Sequence, residues 1–258
     1  MVDGIAAPAK GSWALYGAYL GIGLAILALA LLAASPIGWR AGWWHYRFAF
    51  SWLMTWSAYL AMAAAILSIA TLALGWSELD ARGMILALIG LALGTVLVYI
   101  PWQYDRIRNT VPRIHDITTD TDNPPGYVAV LPARAAENAN SVSYEGADLA
   151  KLQKGAYPDV VPLIVALPPQ ETFKRALDAA NAMSGWTIVA ADPASARIEA
   201  SETSLWFGFT DDIVIRVTAE GSGSRTDMRS VSRQGRSDFG VNARRIRGYL
   251  AQLKQRVG

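Results

Sequence analysis

An α-helical membrane anchor of three transmembrane helices followed by an α+β domain is the architecture the sequence predicts, and three observations predict it. Hydrophobic residues make up 53% of the 258 and charged residues only 17%, too apolar for a wholly soluble chain. The apolar excess is concentrated, because residues 1–104 hold only four basic and three acidic groups. After residue 160 the pattern becomes short alternating strands and amphipathic helices in the order β-α-β-β-β-β-α, which folds as an antiparallel sheet with two helices on one face.

Residues 1–12, with Pro8 and Gly11, read as a short disordered lead. Spans follow near 13–34, 50–75 and 84–101, each long enough at about 1.5 Å per residue to cross a hydrocarbon layer of about 30 Å. Ser35-Pro36-Ile37-Gly38 is expected to break the first helix, and Pro101-Trp102 to stop the third. Trp39, Arg40, Trp43, Trp44 and Arg47 between the first two spans, with Trp102 after the third, form an interfacial set, since indoles settle at headgroup level. No Asp, Glu, Lys, Arg or His lies inside a span, which argues against a pump or ion-coupled transporter and for an anchor.

Residues 105–159 read as an extended linker with helical patches near 133–138 and 146–153. His115, Asp116, Asp120 and Asp122 lack the glycine and the closing glutamate of a calcium loop, so Asx turns account for them better than a metal does. The domain proper runs over 160–258. Its strands are expected at 163–166, 186–190, 197–203, 212–220 and 225–233, and its helices at 170–183 and 242–253. Ile213, Ile215 and Val217 point to a core, whereas Val214 and Arg216 share the opposite, polar side with Arg229, where Glu199, Glu202 and Asp227 are expected partners. In the last helix Ile246, Tyr249, Leu250 and Leu253 form the core stripe, leaving Arg244, Arg245 and Arg247 outward.

Cysteine is absent and only His45 and His115 are present, so disulfides, thiolate chemistry and histidine–cysteine zinc sites fall away, and no cofactor motif appears. Nine basic groups against two acidic ones from residue 222 onward, facing ten against sixteen over 105–221, suggest internal pairing or an anionic partner. No nucleic-acid motif accompanies the charge. The candidate ligand-binding set is Arg216, Arg229, Arg233, Arg236, Ser237, Asp238 and Asn242, around a strand-to-helix junction where free amides and guanidiniums suit an anion. The same residues also suit a rigid corner, with Asp238 or Asn242 capping the helix and carboxylates pairing the arginines. Asp211 and Asp212 are adjacent on a strand and face opposite ways, so they make a poor acid–base pair.

The blocks 114–120 followed by Pro124-Pro125, 208–216 and 229–247 resemble the domain of unknown function family numbered fourteen ninety-nine, over roughly residues 112–256. The resemblance implies a largely bacterial family with plastid relatives, no assigned activity and no functional residue to carry over. Its members that look like lipoproteins or lumenal proteins imply an extracytoplasmic domain. Arg40, Arg47, Arg106, Arg108 and Arg113 on the domain's side of the membrane, against Lys10 and Arg82, favour the cytoplasm instead, so both sides stay open. The expectation is therefore a multi-pass protein of the bacterial inner membrane whose partners are lipids, an anionic ligand or another protein. A structural envelope protein and a hydrolase-like enzyme are the alternatives.

Overall fold

The computed structural model describes residues 12–258, so the expected lead over residues 1–12 lies outside the described residues save for Ser12. The chain divides into a unit ending at Arg106 and a unit of Ile107–Gly258.

The first unit contains α1 (Ser12–Arg40), α2 (Tyr46–Phe48), a π-helical turn at Ala49–Leu53 that runs into α3 (Met54–Gly75), and most of α4 (Ala81–Thr110). Three stretches, Trp13–Arg40, Tyr46–Gly75 and Ala81–Thr110, are long and apolar enough to cross a membrane. Their inner faces carry small residues, such as Ala18, Ala25 and Ala28 in α1, Ala61, Ala64 and Ser68 in α3, and Ala87, Gly90 and Gly94 in α4. Leu20, Ile26, Ile66, Ile69, Ile85 and Leu88 point outward. Small-inside, large-outside packing is the arrangement that suits lipid, where backbones gain by close approach and apolar side chains lose nothing by facing out. A β-carbon on Gly94 would sit 2.7 Å from the Ala61 carbonyl oxygen, and Gly21 and Gly90 both abut the Ser68 hydroxyl. The Ser57 hydroxyl donates to the Ala28 carbonyl at 2.7 Å.

Neither proline ends its helix. Pro36 lies inside α1 and Pro101 inside α4, so these helices outrun the expected spans. Beside Pro36 two side chains donate to helix carbonyls: Ser35 Oγ to that of Leu31 at 2.9 Å, and Trp44 Nε1 to that of Ser35 at 3.3 Å.

The second unit adds β1 (Asp116–Thr118), α5 (Leu131–Ala136), α6 (Ala147–Ala156), β2 (Leu163–Val165), α7 (Pro169–Asn181), β3 (Trp186–Asp192), β4 (Arg197–Thr203), β5 (Thr210–Glu220), β6 (Gly223–Ser232) and α8 (Val241–Val257). The predicted β-α-β-β-β-β-α order holds over β2 to α8. The antiparallel sheet runs β1-β6-β5-β4-β3, with β2 also pairing β6, so β1 and β2 follow one another along the same edge. Ile198, Ala200, Ile213, Ile215 and Met228 meet Phe173, Ala176 and Ala180 of α7 and Ile246, Tyr249 and Leu253 of α8 in the main core.

The stretch 105–159 is not a linker over most of its length. Ile114, Ile117, Leu149 and Tyr157 join the main core, while Tyr127 and Val130 bury Val214 and Val231 on the far face. Its polar composition reads as loop because its partners are remote. Glu199 accepts the amides of Val128 (2.9 Å) and Val130 (3.0 Å), so a strand carboxylate replaces the ladder such a segment lacks. The Gln153 amide brackets Thr118, accepting from its N–H at 3.0 Å and donating to its carbonyl at 2.6 Å, which closes the open side of β1. Strands β5 and β6 are consequently covered on both faces.

Candidate functional site

Strand alternation sends Glu199, Ser201, Asp212, Arg216, Asp227, Arg229 and Arg233 to the face away from α7 and α8, beneath the 119–142 wrap. Asp212, fully buried, gathers three partners. Arg233 forms a two-pronged pair with it (Nε–Oδ2 2.8 Å, Nη2–Oδ1 2.7 Å), Arg134 Nη1 lies at 2.6 Å, and the Ser201 hydroxyl donates at 2.6 Å. Burial opposes the charge of Asp212, but the hydrogen bonds from Arg233, Ser201 and Arg134 outweigh it and hold the carboxyl below the usual carboxylate range. Arg233 also reaches Glu137 at 2.5 Å.

Arg229 is buried between the rings of Tyr127 and Tyr144, 5.4 and 5.5 Å from their centroids, and its fork grips Asp116. Its remaining donors meet the carbonyls of Val142 (2.7 Å) and Pro125 (3.3 Å). Arg216 pairs with Asp120 and Asp227, both at 3.1 Å, and Arg225 holds the same two carboxylates. Asp120 also accepts the amides of Asp122 and Asn123, the geometry of an Asx turn.

On the other face Asp238 accepts the amides of Gly240 (2.8 Å) and Asn242 (3.0 Å), closing the start of α8, where Phe239 and Gly240 both take positive φ. Burial raises the Asp238 carboxyl above its ordinary value, against the pull of those two amides. Asn242 bonds the Ser230 hydroxyl and the His115 carbonyl. Arg245, expected outward, is buried and pairs with Glu202 at 2.6 Å and Asp211 at 2.7 Å. Glu202 therefore serves the helix face, not Arg216 or Arg229. The Ser237 hydroxyl accepts the Phe239 amide at 3.4 Å.

The seven candidate residues thus do not converge on one cavity. Six are engaged in hydrogen bonds on two faces of the sheet, and Arg236 alone of the set is exposed without an ion pair. The corner reading of these residues is the one their contacts support. Asp116, Arg134, Glu137 and Gln153 belong to the same polar framework, and their places in it were invisible in the sequence, since each acts on a partner about 35 to 113 positions away.

The interfacial set lies at one end of the first unit. Trp39 makes edge contacts with His45 and Tyr46, Trp43 is exposed, and the Trp44 ring covers Gly38. Arg40 ends α1, the Arg47 amide donates to His45 Nδ1, and Arg106 lies 5.1 Å over the Trp102 ring. A shallow cleft beside α6, lined by Asp122, Tyr144, Lys151 and Lys154 among others, has its Lys154 already turned to Asp122 at 3.8 Å.

Among known proteins, no curated sequence matches the chain. Solved structures that show partial likeness include these two. One is described as "Crystal structure of Ara h 8.0201", at 13% identity over 37% of this chain and 93% of that one, with a TM-score of 0.29. The other is the protein TTHA0849 from Thermus thermophilus, at 13% identity over 38% and 94%, with a TM-score of 0.24. The family described as "Protein of unknown function (DUF1499)" matches residues 116–253, which takes in β1, the wrap, the sheet and nearly all of α8. With more than half of its residues in that match, the chain belongs to the DUF1499 family.

Proposed function

We propose that this is a non-catalytic protein of the bacterial cytoplasmic membrane whose folded unit works at the membrane surface by holding anionic lipid headgroups. The observation that carries this reading is the division among the arginines. Arg216, Arg229, Arg233 and Arg245 are committed to carboxylates inside the unit, whereas Arg113 and Arg236 are exposed and make no ion pair among the described residues. Arg244 is also exposed, bonded only to the Phe239 carbonyl at 3.2 Å. Guanidiniums left to solvent near a bilayer gain about 1 kcal/mol each from an anionic surface.

These three arginines share one end of the unit. Asp238 N donates to the Ile114 carbonyl at 3.0 Å, and Gly240, before Arg244, packs near Val111, so Arg113, Arg236 and Arg244 ring the point where the chain arrives from α4. Arg40, Arg47, Arg106 and Arg108 favour a cytoplasmic position for this end, facing the more anionic leaflet. A C-terminal fluorescent-protein fusion that glows, beside a silent alkaline phosphatase fusion, supports that side; the reverse moves the domain outside.

Native mass spectrometry of the full chain, released from detergent with phosphatidylglycerol or phosphatidylcholine, tests the headgroup reading. The protein retains phosphatidylglycerol preferentially, and a variant combining Arg113→Ala with Arg236→Ala loses most of that preference while keeping its thermal midpoint. An undiminished preference in the double variant contradicts the reading.

A further inference from the structure

We propose that the β4–β5 loop, residues 204–209, is a membrane-insertion element that seats Leu205 in the interface of the bilayer the chain spans. Hairpin connections are ordinarily polar and rich in Gly, Asn and Asp. This one reads Ser204-Leu205-Trp206-Phe207-Gly208-Phe209, and Leu205 is 93% exposed, more than any other large apolar residue described.

The loop presents Leu205 from a braced frame. Ser204 N donates to the Phe209 carbonyl at 2.8 Å, Phe209 N donates to Ser204 Oγ at 3.0 Å, and Gly208 N donates to the Ser204 carbonyl at 3.0 Å. Phe207 is buried and stacks on Phe209 with ring centroids 5.3 Å apart, and Trp206 lies 5.7 Å from Phe207. A leucine that leaves 93% of its surface to water keeps an unfavourable transfer free energy that an apolar phase would relieve.

Connectivity within the unit identifies that phase. Thr210, the residue after the loop, accepts the Arg233 amide at 2.9 Å, and Ser232 N donates to the His115 carbonyl at 3.0 Å. The loop therefore stands at the end of the sheet where the chain arrives from Thr110, the last residue of an apolar helix long enough to span a membrane. The exposed carboxylate at this end, Glu137, is turned to Arg233, and the exposed charge left over is basic. Arg113, Arg236 and Arg244 face solvent, while Asp211 is turned to Arg245 and Asp238 to the amides of α8. An apolar tip flanked by arginines suits the headgroup boundary, where the leucine methyls enter and the guanidiniums stay at phosphate level.

This inference rests on the reading that this end faces lipid, but not on any headgroup preference, and one experiment separates the two. The chain has no cysteine, so Leu205→Cys and Ile164→Cys each carry a single nitroxide label; Ile164 is exposed on β2, which pairs with the opposite end of β6. The full chain is reconstituted in phosphatidylcholine liposomes with and without phosphatidylglycerol. Collision with oxygen and with a water-soluble nickel chelate is then measured by power saturation. Position 205 gives an oxygen-to-nickel ratio several-fold above that of position 164 in both lipids. An aqueous ratio at 205 overturns the insertion even if phosphatidylglycerol preference survives, and shielding from both reagents, the mark of a protein contact, overturns it as well. Insertion in both lipids with no phosphatidylglycerol preference leaves this inference standing and removes the headgroup reading alone.

Discussion

Arg229 and Asp116 meet as a two-pronged ion pair between β6 and β1, Nε to Oδ1 at 2.9 Å and Nη2 to Oδ2 at 2.6 Å, with both residues buried. The pair ties the edge strand β1 to β6 beside it. Arg229→Ala leaves Asp116 buried and uncompensated and removes the filling between Tyr127 and Tyr144, so the second unit loses about 3–5 kcal/mol. Arg229→Lys recovers little, because an ammonium cannot make the fork or lie flat between two rings. Denaturant unfolding of the full chain, followed by far-UV circular dichroism and tryptophan fluorescence, reads both variants.

Asp212 makes stability depend on acid. Its folded pKa lies below the unfolded value of about 3.9, so the stabilisation is complete above that value and is lost as pH falls through the folded pKa. Asp238 has the opposite sign: its pKa is raised by burial, and its protonation favours the folded state as pH drops through the raised value. The measurement is the denaturant midpoint of wild type and Asp212→Asn from pH 7 to pH 3. The variant is less stable at neutral pH, and the gap narrows below about pH 4 as wild-type Asp212 protonates.

Close helix packing in the first unit depends on particular glycines. At Gly94 a methyl would lie 2.7 Å from the Ala61 carbonyl oxygen and 2.9 Å from the Ala65 amide, both backbone atoms, whereas at Gly23 it meets nothing within 4 Å. Gly94→Ala therefore pushes α4 from α3 and lowers the thermal midpoint in detergent, and Gly23→Ala leaves it unchanged or slightly raised. Equal midpoints for the two variants contradict this packing.

Strands β3 to β6 and helices α7 and α8 were legible in the sequence because their apolar residues repeat at the strand and helix periods, with Ile213, Ile215 and Val217 on one side and Ile246, Tyr249 and Leu253 on one stripe. The wrap was not legible. Asp120, Asn123, Pro124 and Pro125 carry no period, and what fixes them is Arg216 and Arg229 on remote strands. The polar side of β5 and β6 was assigned correctly by alternation, but nothing in those strands reveals that Tyr127 and Val130 cover Val214 and Val231 there. Arg245 was misplaced for a related reason: a helix stripe drawn from apolar residues alone omits a buried guanidinium whose partners, Asp211 and Glu202, lie on the sheet. Pro36 and Pro101 misled because helix-breaking rules drawn from water weaken in long apolar helices, and both helices here run on through their prolines.

The arginines of the second unit divide into a framework paired with carboxylates inside it and a set left exposed. Thermal unfolding of Arg233→Ala and Arg236→Ala in the same detergent preparation tests that division most directly. Arg233 pairs with Asp212 and Glu137, so its loss lowers the midpoint by many degrees, while Arg236→Ala stays within about 0.5 kcal/mol of wild type. Equal destabilisation by the two substitutions, or a stable Arg233→Ala, would contradict the division.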